Sequence, residues 1–238
     1  MALLQVRRSR SEPRTTPALS YRGGLSYPFE RMDQALETVK FYYDFKSPFT
    51  YLAFEPALAL ERTHRVRLRF IPHVFDFTAY GGTLADRDER SWRKVRYLYL
   101  DARRFANERG LVIKGPQRLF DSRLALISGL FADREGRFRE YAGRVWELFF
   151  KRELDIEKIE ELAPLLAAAG MDPEAFRRYA ESDGPRELAA ALEEGERDGV
   201  FGVPTFIVAG EPFWGNDRVE WVAKKLDAMG LRRAEATT

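Results

Sequence analysis

The spacing of apolar and polar positions predicts a strand, a helix and a second strand between residues 38 and 72. Residues 38–45 are almost continuously apolar and aromatic, as in a strand that is buried on both faces. Ser47 and Pro48 supply an N-cap and a first helical position, so a helix is expected to extend to about residue 62. Residues 66–72 alternate between apolar and basic, which predicts a second strand, parallel to the first through a βαβ crossover.

The segment from residue 91 to residue 198 has helical spacing of its apolar positions almost throughout. Six helices are predicted, over residues 92–109, 119–132, 138–152, 156–169, 173–182 and 185–198.

Two short strands and a closing helix follow this helical block. Residues 205–208 and 211–214 are expected to form a hairpin, and residues 217–229 a helix. Asp217 and Glu220 have the spacing of a capping box at the start of that helix.

The resulting order, βαβ, then about a hundred helical residues, then ββα, is that of an α/β thioredoxin-like fold with a large all-helical insertion. Residues 38–88 and 199–232 are expected to form the thioredoxin-like domain in two segments, and residues 89–198 the insertion. Residues 1–37 are expected to be an N-terminal extension, predicted to be disordered.

The composition excludes several classes of function. The 39 basic and 37 acidic residues are interspersed, whereas a nucleic-acid surface normally requires a clustered basic face. No apolar run approaches the roughly 18 residues of a membrane span. The 238 residues contain no cysteine, which excludes disulfides, thiolate metal ligands and direct dithiol exchange. With only two histidines, a metal site is not expected.

Residues 1–31 differ in composition from the rest, since they combine six arginines with serine, threonine, proline and glycine. No apolar core follows the arginines, so the segment is not a secretory signal. Two interpretations stay open: an organellar transit peptide, or a disordered extension upstream of a natural start at Met32.

Ser47 is the candidate for chemistry because it lies where a strand leads into the N-terminus of a helix. The free amides and the positive end of the helix dipole favour an anion at this place. A hydroxyl with no adjacent base is a poor nucleophile, but it can donate a hydrogen bond to a thiolate brought by a cofactor. Such a bond lowers a thiol pKa from about 8.5 toward neutrality. The simpler alternative is that Ser47 only caps its helix.

Three other places have a structural and a functional interpretation. If the Val203-Pro204 bond is cis, the backbone of Val203 can pair with an extended peptide; otherwise it is an ordinary strand start. Asn216 and Asp217 either cap the last helix or hold the charged end of a small peptide. Lys94 is expected in the first turn of its helix, where a cation is unfavourable unless it faces a carboxylate ligand.

Two motifs resemble those of the 2-hydroxychromene-2-carboxylate isomerases, which belong with kappa-class glutathione transferases to the DsbA-like branch of the thioredoxin superfamily. They are Asp44-Phe45-Lys46-Ser47-Pro48-Phe49-Thr50-Tyr51-Leu52-Ala53 and the pair Gly199-Val200-Phe201-Gly202-Val203-Pro204-Thr205-Phe206 and Phe213-Trp214-Gly215-Asn216-Asp217-Arg218. A weaker third match is the helix with Lys94, Tyr97, Asp101 and Arg104.

The resemblance implies a glutathione cofactor, a small-molecule substrate, a homodimer and a cytoplasmic enzyme. Ser47 would stabilise the thiolate, and Val203 before a cis Pro204 would pair with the cysteinyl backbone. Asn216 and Asp217 would hold the γ-glutamyl end, and Lys94 a carboxylate. The aromatic residues expected to line the substrate pocket are Phe49, Phe75, Tyr97 and Trp214, with Phe77 and Tyr80 as further candidates.

One departure from the family concerns the loop before the lysine helix. Where the family has an Asn followed by two prolines, this chain has the charged run from Asp86 to Arg90. A different low-molecular-weight thiol is therefore an alternative to glutathione. Two other functions also stay open: a kappa-like transferase that conjugates electrophiles, and a non-catalytic binding module of thioredoxin fold.

Overall fold

The structure is a computed structural model that describes residues 36–74 and 88–234. In these two ranges it contains four strands, eight α-helices and one 3-10 turn. The strands are β1 (Glu37–Tyr43), β2 (Val66–Pro72), β3 (Thr205–Val208) and β4 (Glu211–Trp214). The helices are α1 (Pro48–Thr63), α2 (Glu89–Glu108), α3 (Arg123–Arg134), α4 (Phe138–Lys151), α5 (Ile159–Ala168), α6 (Pro173–Glu181), α7 (Asp183–Arg197) and α8 (Val219–Ala228), with the 3-10 turn Asn216–Arg218 before α8.

The four strands form one mixed sheet in the order β2-β1-β3-β4. Strands β1 and β2 are parallel, in a register that pairs Glu37 with Val66 and Tyr43 with Pro72. Strand β3 is antiparallel to both β1 and β4. The βαβ and ββα halves therefore share a sheet whose centre is β1, which confirms the predicted thioredoxin-like fold.

One face of the sheet builds the main hydrophobic core. Alternate β1 residues point into it, and Phe41 stacks on Phe206 with ring centroids 4.7 Å apart. Tyr43 meets Trp146 of α4 edge-on, so this core continues from the sheet into the helical segment. Each such fully buried aromatic side chain contributes about 1.5–3 kcal/mol relative to an exposed one.

The other face of β1 is covered by α7. Tyr42 donates a hydrogen bond to Asp198 just after this helix, and Lys40 forms an ion pair with the same carboxylate. The described residues, 36–74 and 88–234, group into one compact unit, and α7 packs on the sheet itself. The division into segments 38–88, 89–198 and 199–232 stays a prediction, and residues 1–35 lie outside the described residues.

Five predicted helix starts are wrong. Helix α3 begins at Arg123 instead of 119, α5 begins at Ile159 instead of 156, and α7 begins at Asp183 instead of 185. The other two are those of α2 and α8. Helix α2 begins at Glu89, because the Asp88 side chain accepts the Ser91 amide at 2.7 Å, and Lys94 consequently lies in the second turn. The closing helix α8 begins at Val219, after the 3-10 turn. Among the described residues neither Asp217 nor Glu220 makes a capping hydrogen bond, since Asp217 instead pairs with Arg218 at 3.2 Å.

None of the helices in the described ranges combines the length and the apolar composition that a membrane crossing requires.

Candidate functional site

Ser47 lies between the end of β1 and the first turn of α1 and is half-buried. Its Oγ accepts the Thr50 amide at 3.1 Å, which makes it the N-cap that the sequence predicts. The same hydroxyl donates its proton to the Val203 carbonyl at 3.3 Å. Ser47 thus connects the helix N-terminus with a loop 156 positions away along the chain.

The second side of the site is the loop from Gly202 to Thr205. The Val203-Pro204 peptide bond is cis, as the resemblance predicts. The Thr205 hydroxyl donates to the Gly202 carbonyl at 2.6 Å, and the Gly215 amide donates to the Pro204 carbonyl at 2.9 Å. These bonds fasten the loop to β3 and to the turn that follows β4.

That turn brings the predicted Asn216 and Asp217 to the same place. The 3-10 turn that they form packs against α1, the helix that Ser47 caps. Asn216 is half-buried, whereas Asp217 is exposed. The Ser47 hydroxyl bonds to Val203, and the Pro204 carbonyl bonds to Gly215, the residue before Asn216. The structure therefore brings Ser47, the cis-proline loop and the 3-10 turn together.

An exposed aromatic pair flanks the cis-proline loop. Phe201 and Trp214 are 65% and 48% exposed, and their rings meet edge to face with centroids 4.9 Å apart. A Cβ atom on Gly202 would lie 2.9 Å from the Trp214 Nε1, so only glycine lets this ring lie over the loop. Trp214 was predicted as a pocket residue, and Phe201 is an addition that the sequence reasoning missed.

A buried carboxylate lies behind Ser47. Asp44 is fully buried and accepts the Lys46 amide at 3.0 Å on one oxygen and the Ser122 hydroxyl at 3.0 Å on the other. The Lys46 ammonium is 3.7 Å from the second oxygen. The Asp44 carbonyl accepts the Ser47 amide at 3.1 Å, so the same residue shapes the turn that presents Ser47.

His73 completes the surroundings of this carboxylate at the end of β2. Its backbone amide donates to the Tyr43 carbonyl at 2.8 Å, and its ring packs against Gly195 of α7. Burial lowers the pKa of His73, and the negative charges of Asp44 and Glu196 oppose this shift only in part. Its Nδ1 is buried with no hydrogen-bond partner in the described part of the chain.

The remaining predicted site residues are not all brought to this place. Phe49 is half-buried in the first turn of α1 and packs on the main core. Lys94 is exposed, and Tyr97 is 59% exposed and stacks under Arg104 of its own helix. The structure shows no contact of either residue with Ser47 or the cis-proline loop.

Phe75, Phe77 and Tyr80 lie outside the described residues, as do positions 86 and 87 of the charged run. Within residues 36–74 and 88–234, no group of three or more His, Cys, Asp and Glu side chains is arranged to hold a metal ion.

Comparison with known proteins shows the family and the fold. The sequence model of the DSBA-like thioredoxin domain matches residues 38–227. The chain belongs to this family. Within it, a 2-hydroxychromene-2-carboxylate isomerase from Pseudomonas putida is 28% identical over 210 residues, which cover 84% of this chain and 99% of that protein.

Solved structures of the DSBA-like family share the fold. A 2-hydroxychromene-2-carboxylate isomerase superimposes with a TM-score of 0.68 at 23% identity, over 81% of this chain and 96% of the other. A cytosolic disulfide reductase from Pseudomonas aeruginosa, solved with GSH, gives a TM-score of 0.54 at 18% identity, over 80% and 99% of the two chains.

The chemistry open to this DSBA-like site is set by the serine. With no cysteine in the chain, the protein cannot itself form a mixed disulfide. A helix N-terminus and a hydroxyl can nevertheless hold the anionic sulfur of a bound thiol, and the loop backbone can pair with a peptide-like ligand. The signal that could have drawn attention to Asp44 is the pair of charged residues, Asp44 and Lys46, inside an otherwise aromatic run.

Proposed function

We propose that the protein is a thiol-dependent isomerase of the 2-hydroxychromene-2-carboxylate isomerase type, with glutathione as its cofactor. The observation that carries the proposal is the hydrogen bond of 3.3 Å from Ser47 to the Val203 carbonyl. The Ser47 hydroxyl, the predicted catalytic group, thus lies between the N-terminus of α1 and the cis-proline loop. Isomerases of this name match nearly their whole length to this chain at 24–28% identity, which supports the reaction type.

The donor set at this site fits glutathione. A serine hydroxyl that donates through a long hydrogen bond to a backbone carbonyl can turn to a stronger, anionic acceptor. The Val203 backbone suits the peptide part of glutathione. The side chains of Asn216 and Asp217 together suit its γ-glutamyl end, which carries an α-amino and an α-carboxylate group. The cytosolic reductase solved with GSH supports the view that this fold accommodates glutathione.

When bound, glutathione supplies a sulfur nucleophile that adds reversibly to an unsaturated carbon of the substrate. Ser47 would donate a hydrogen bond to the sulfur, and the first-turn amides of α1 would stabilise negative charge on that sulfur. Because the Thr50 amide uses a lone pair of the Ser47 oxygen, the hydroxyl's own proton stays available for a hydrogen bond to the sulfur. Ser47 thereby favours the ionised thiol near neutral pH.

Phe201 and Trp214 are proposed to bind the planar aromatic part of the substrate. Both rings are exposed beside the cis-proline loop, and the edge-to-face pair leaves aromatic surface open to stack a ligand ring. Trp214→Ser is expected to raise KM for the chromene substrate about tenfold, with a smaller effect on kcat. Trp221→Ser removes an equally exposed tryptophan from α8 and serves as the matched control.

The test is calorimetric titration with reduced glutathione, combined with assay of 2-hydroxychromene-2-carboxylate conversion, for the wild type and Ser47→Ala. Loss of a hydrogen bond to a charged group is expected to weaken binding of the thiolate about 10- to 100-fold. Asp172→Ala removes the N-cap of α6, a cap of the same kind, and should leave binding unchanged.

Three other results would change the assignment. Failure of glutathione and other low-molecular-weight thiols to bind would refute the proposal. Binding with conjugation of electrophiles, but no isomerisation, would indicate the kappa-like transferase. Binding of glutathione without turnover of any substrate, equal in the wild type and Ser47→Ala, would favour the non-catalytic binding module.

A further inference from the structure

The turn that presents Ser47 contains a buried carboxyl group next to a place where an anion is to be held. Asp44 is fully buried, and its carbonyl fixes the Ser47 amide directly. A buried carboxylate raises the free energy of any second anion nearby, because the interior screens charges poorly. A site of this kind therefore requires something to offset the charge of Asp44.

Two side chains meet this carboxylate from different parts of the chain. The Lys46 side chain, only 7% exposed, brings its ammonium to 3.7 Å from Oδ2. Ser122, at the start of α3, donates its hydroxyl to the same oxygen instead of capping its helix. The Lys46 amide takes the other oxygen, Oδ1. Positive charge and hydrogen-bond donors thus surround Asp44 from the turn and from the helical segment.

We propose that Lys46 and Ser122 are positioning residues for Ser47, which act by holding and neutralising the buried carboxylate of Asp44. This inference rests on the proposed function, because the anion held at Ser47 is taken to be the thiolate of the cofactor. Lys46 acts through Asp44 rather than by contact with the cofactor. Ser122 lies at the start of α3, 75 positions after Ser47 in the sequence. Through its hydrogen bond to Asp44, it helps to hold the turn in place.

Other charged groups border this cluster and belong to the same balance. His73, just after β2, and Tyr43, the last residue of β1, both interact electrostatically with Asp44. Asp121, next to Ser122, faces Lys46; burial raises the pKa of Asp121, but hydrogen bonds from Arg123 and the charges of Arg123 and Lys46 lower it overall. Lys46 therefore interacts with two acids, Asp44 and Asp121.

The decisive experiment is a set of charge variants in which the ionisation of bound glutathione is followed by thiolate ultraviolet absorbance as a function of pH. Lys46→Gln removes the ammonium group beside Asp44, and the pKa of the bound thiol should rise by about one unit, with about tenfold weaker binding at neutral pH. Asp44→Asn keeps hydrogen-bonding groups at this position but removes the carboxylate charge. The double variant Asp44→Asn/Lys46→Gln should therefore return to within about threefold of the wild type.

Ser122 is tested by Ser122→Ala against Ser128→Ala. Ser128 is a second buried serine of the same helix, whose hydroxyl bonds to the Ala125 carbonyl and to Tyr141. Ser122→Ala should raise the thiol pKa and lower kcat about three- to tenfold with little change in KM, and Ser122→Thr should restore both. Ser128→Ala should leave the thiol pKa and the ratio of kcat to KM unchanged.

The proposal is overturned if Lys46→Gln leaves the thiol pKa unchanged, if the double variant is as impaired as Lys46→Gln, or if Ser122→Ala behaves like Ser128→Ala. If the wild type binds no thiol, the proposed function fails on its own. The positioning role is then decided by hydrogen exchange of the Lys46 and Ser47 amides in the free protein. Faster exchange in Ser122→Ala, but not in Ser128→Ala, supports it; equal exchange refutes it.

Discussion

Two acids lie at strand β1, Asp198 half-buried and Asp44 fully buried, and the two clusters are built differently. Asp198, after α7, accepts Lys40 at 2.6 Å and the Tyr42 hydroxyl at 2.5 Å. Asp44, at the end of β1, accepts an amide and a hydroxyl at 3.0 Å each, and its ammonium partner stays at 3.7 Å. The first cluster has short, charge-assisted hydrogen bonds, and the second has mainly neutral donors.

The difference in bonding corresponds to a difference in place. The Asp198 cluster lies under α7, where Arg69 and Lys40 also pair with Glu194, and it fastens a helix to the sheet. The Asp44 cluster shapes the turn before Ser47. Clusters of similar residue types at the same strand are therefore expected to contribute mainly to the stability of the fold in one case and to the geometry of the site in the other.

The largest expected effects come from removal of each acid. Asp44→Ala leaves Lys46 and Ser122 buried without this partner, and should lower the free energy of unfolding by about 3 kcal/mol. Asp198→Ala, at a less buried position, should lower it by about 2 kcal/mol. Urea denaturation measures both. Calorimetry with glutathione should show weaker binding only for Asp44→Ala; equal losses of binding would erase the distinction between the clusters.

A smaller effect is expected for the hydroxyl of Tyr42. Burial raises the pKa of Tyr42 far above its ordinary value of 10.0. The hydrogen bond to Asp198 and the negative charge of that residue raise the pKa of Tyr42 further. The unfolded chain ionises first, so this contribution to stability is complete below about pH 10 and is lost as pH rises further. Tyr42→Phe should cost about 1 kcal/mol at neutral pH and flatten the alkaline loss of stability in urea denaturation series. Parallel curves for the two proteins would contradict this.

The smallest effect concerns His73, which borders Asp44. Because burial lowers its pKa below the ordinary 6.5, the unfolded state takes up the proton first as pH falls. Stability that is present above about pH 6.5 should decrease below it, by up to about 1 kcal/mol over one to two pH units. His73→Gln should remove this part of the acid sensitivity, measured as the difference between wild-type and variant denaturation at each pH. A variant with unchanged acid sensitivity would show that His73 takes up its proton equally in the folded and unfolded states.

Much of the fold could be predicted because its signals are local. The apolar run before Ser47, the cap itself and the alternation in β2 are properties of neighbouring residues, and the structure has them nearly where they were expected. The cis bond before Pro204 followed from the resemblance of the motif around it. Residues that are close in sequence to these signals could therefore be assigned to the site.

The predictions that were wrong or incomplete depend on distant contacts. Nothing near Asp44 in sequence indicates Ser122, which lies 78 positions away, because the contact exists only when α3 packs behind the turn. Likewise, Asp217 has capping-box spacing, but its carboxylate pairs with Arg218 and the chain forms a 3-10 turn instead. A sequence pattern gives the donor and acceptor types, whereas tertiary packing decides which of them meet.

The central claim is that Ser47 and the N-terminus of α1 hold a cofactor thiol in its ionised form. The most direct measurement is the thiolate absorbance of the glutathione complex of the wild-type protein, titrated against pH. The account predicts a pKa at least one unit below the value of about 8.5 for a free thiol, and a return toward that value in Ser47→Ala. A bound thiol that ionises at the free value in both proteins would contradict it.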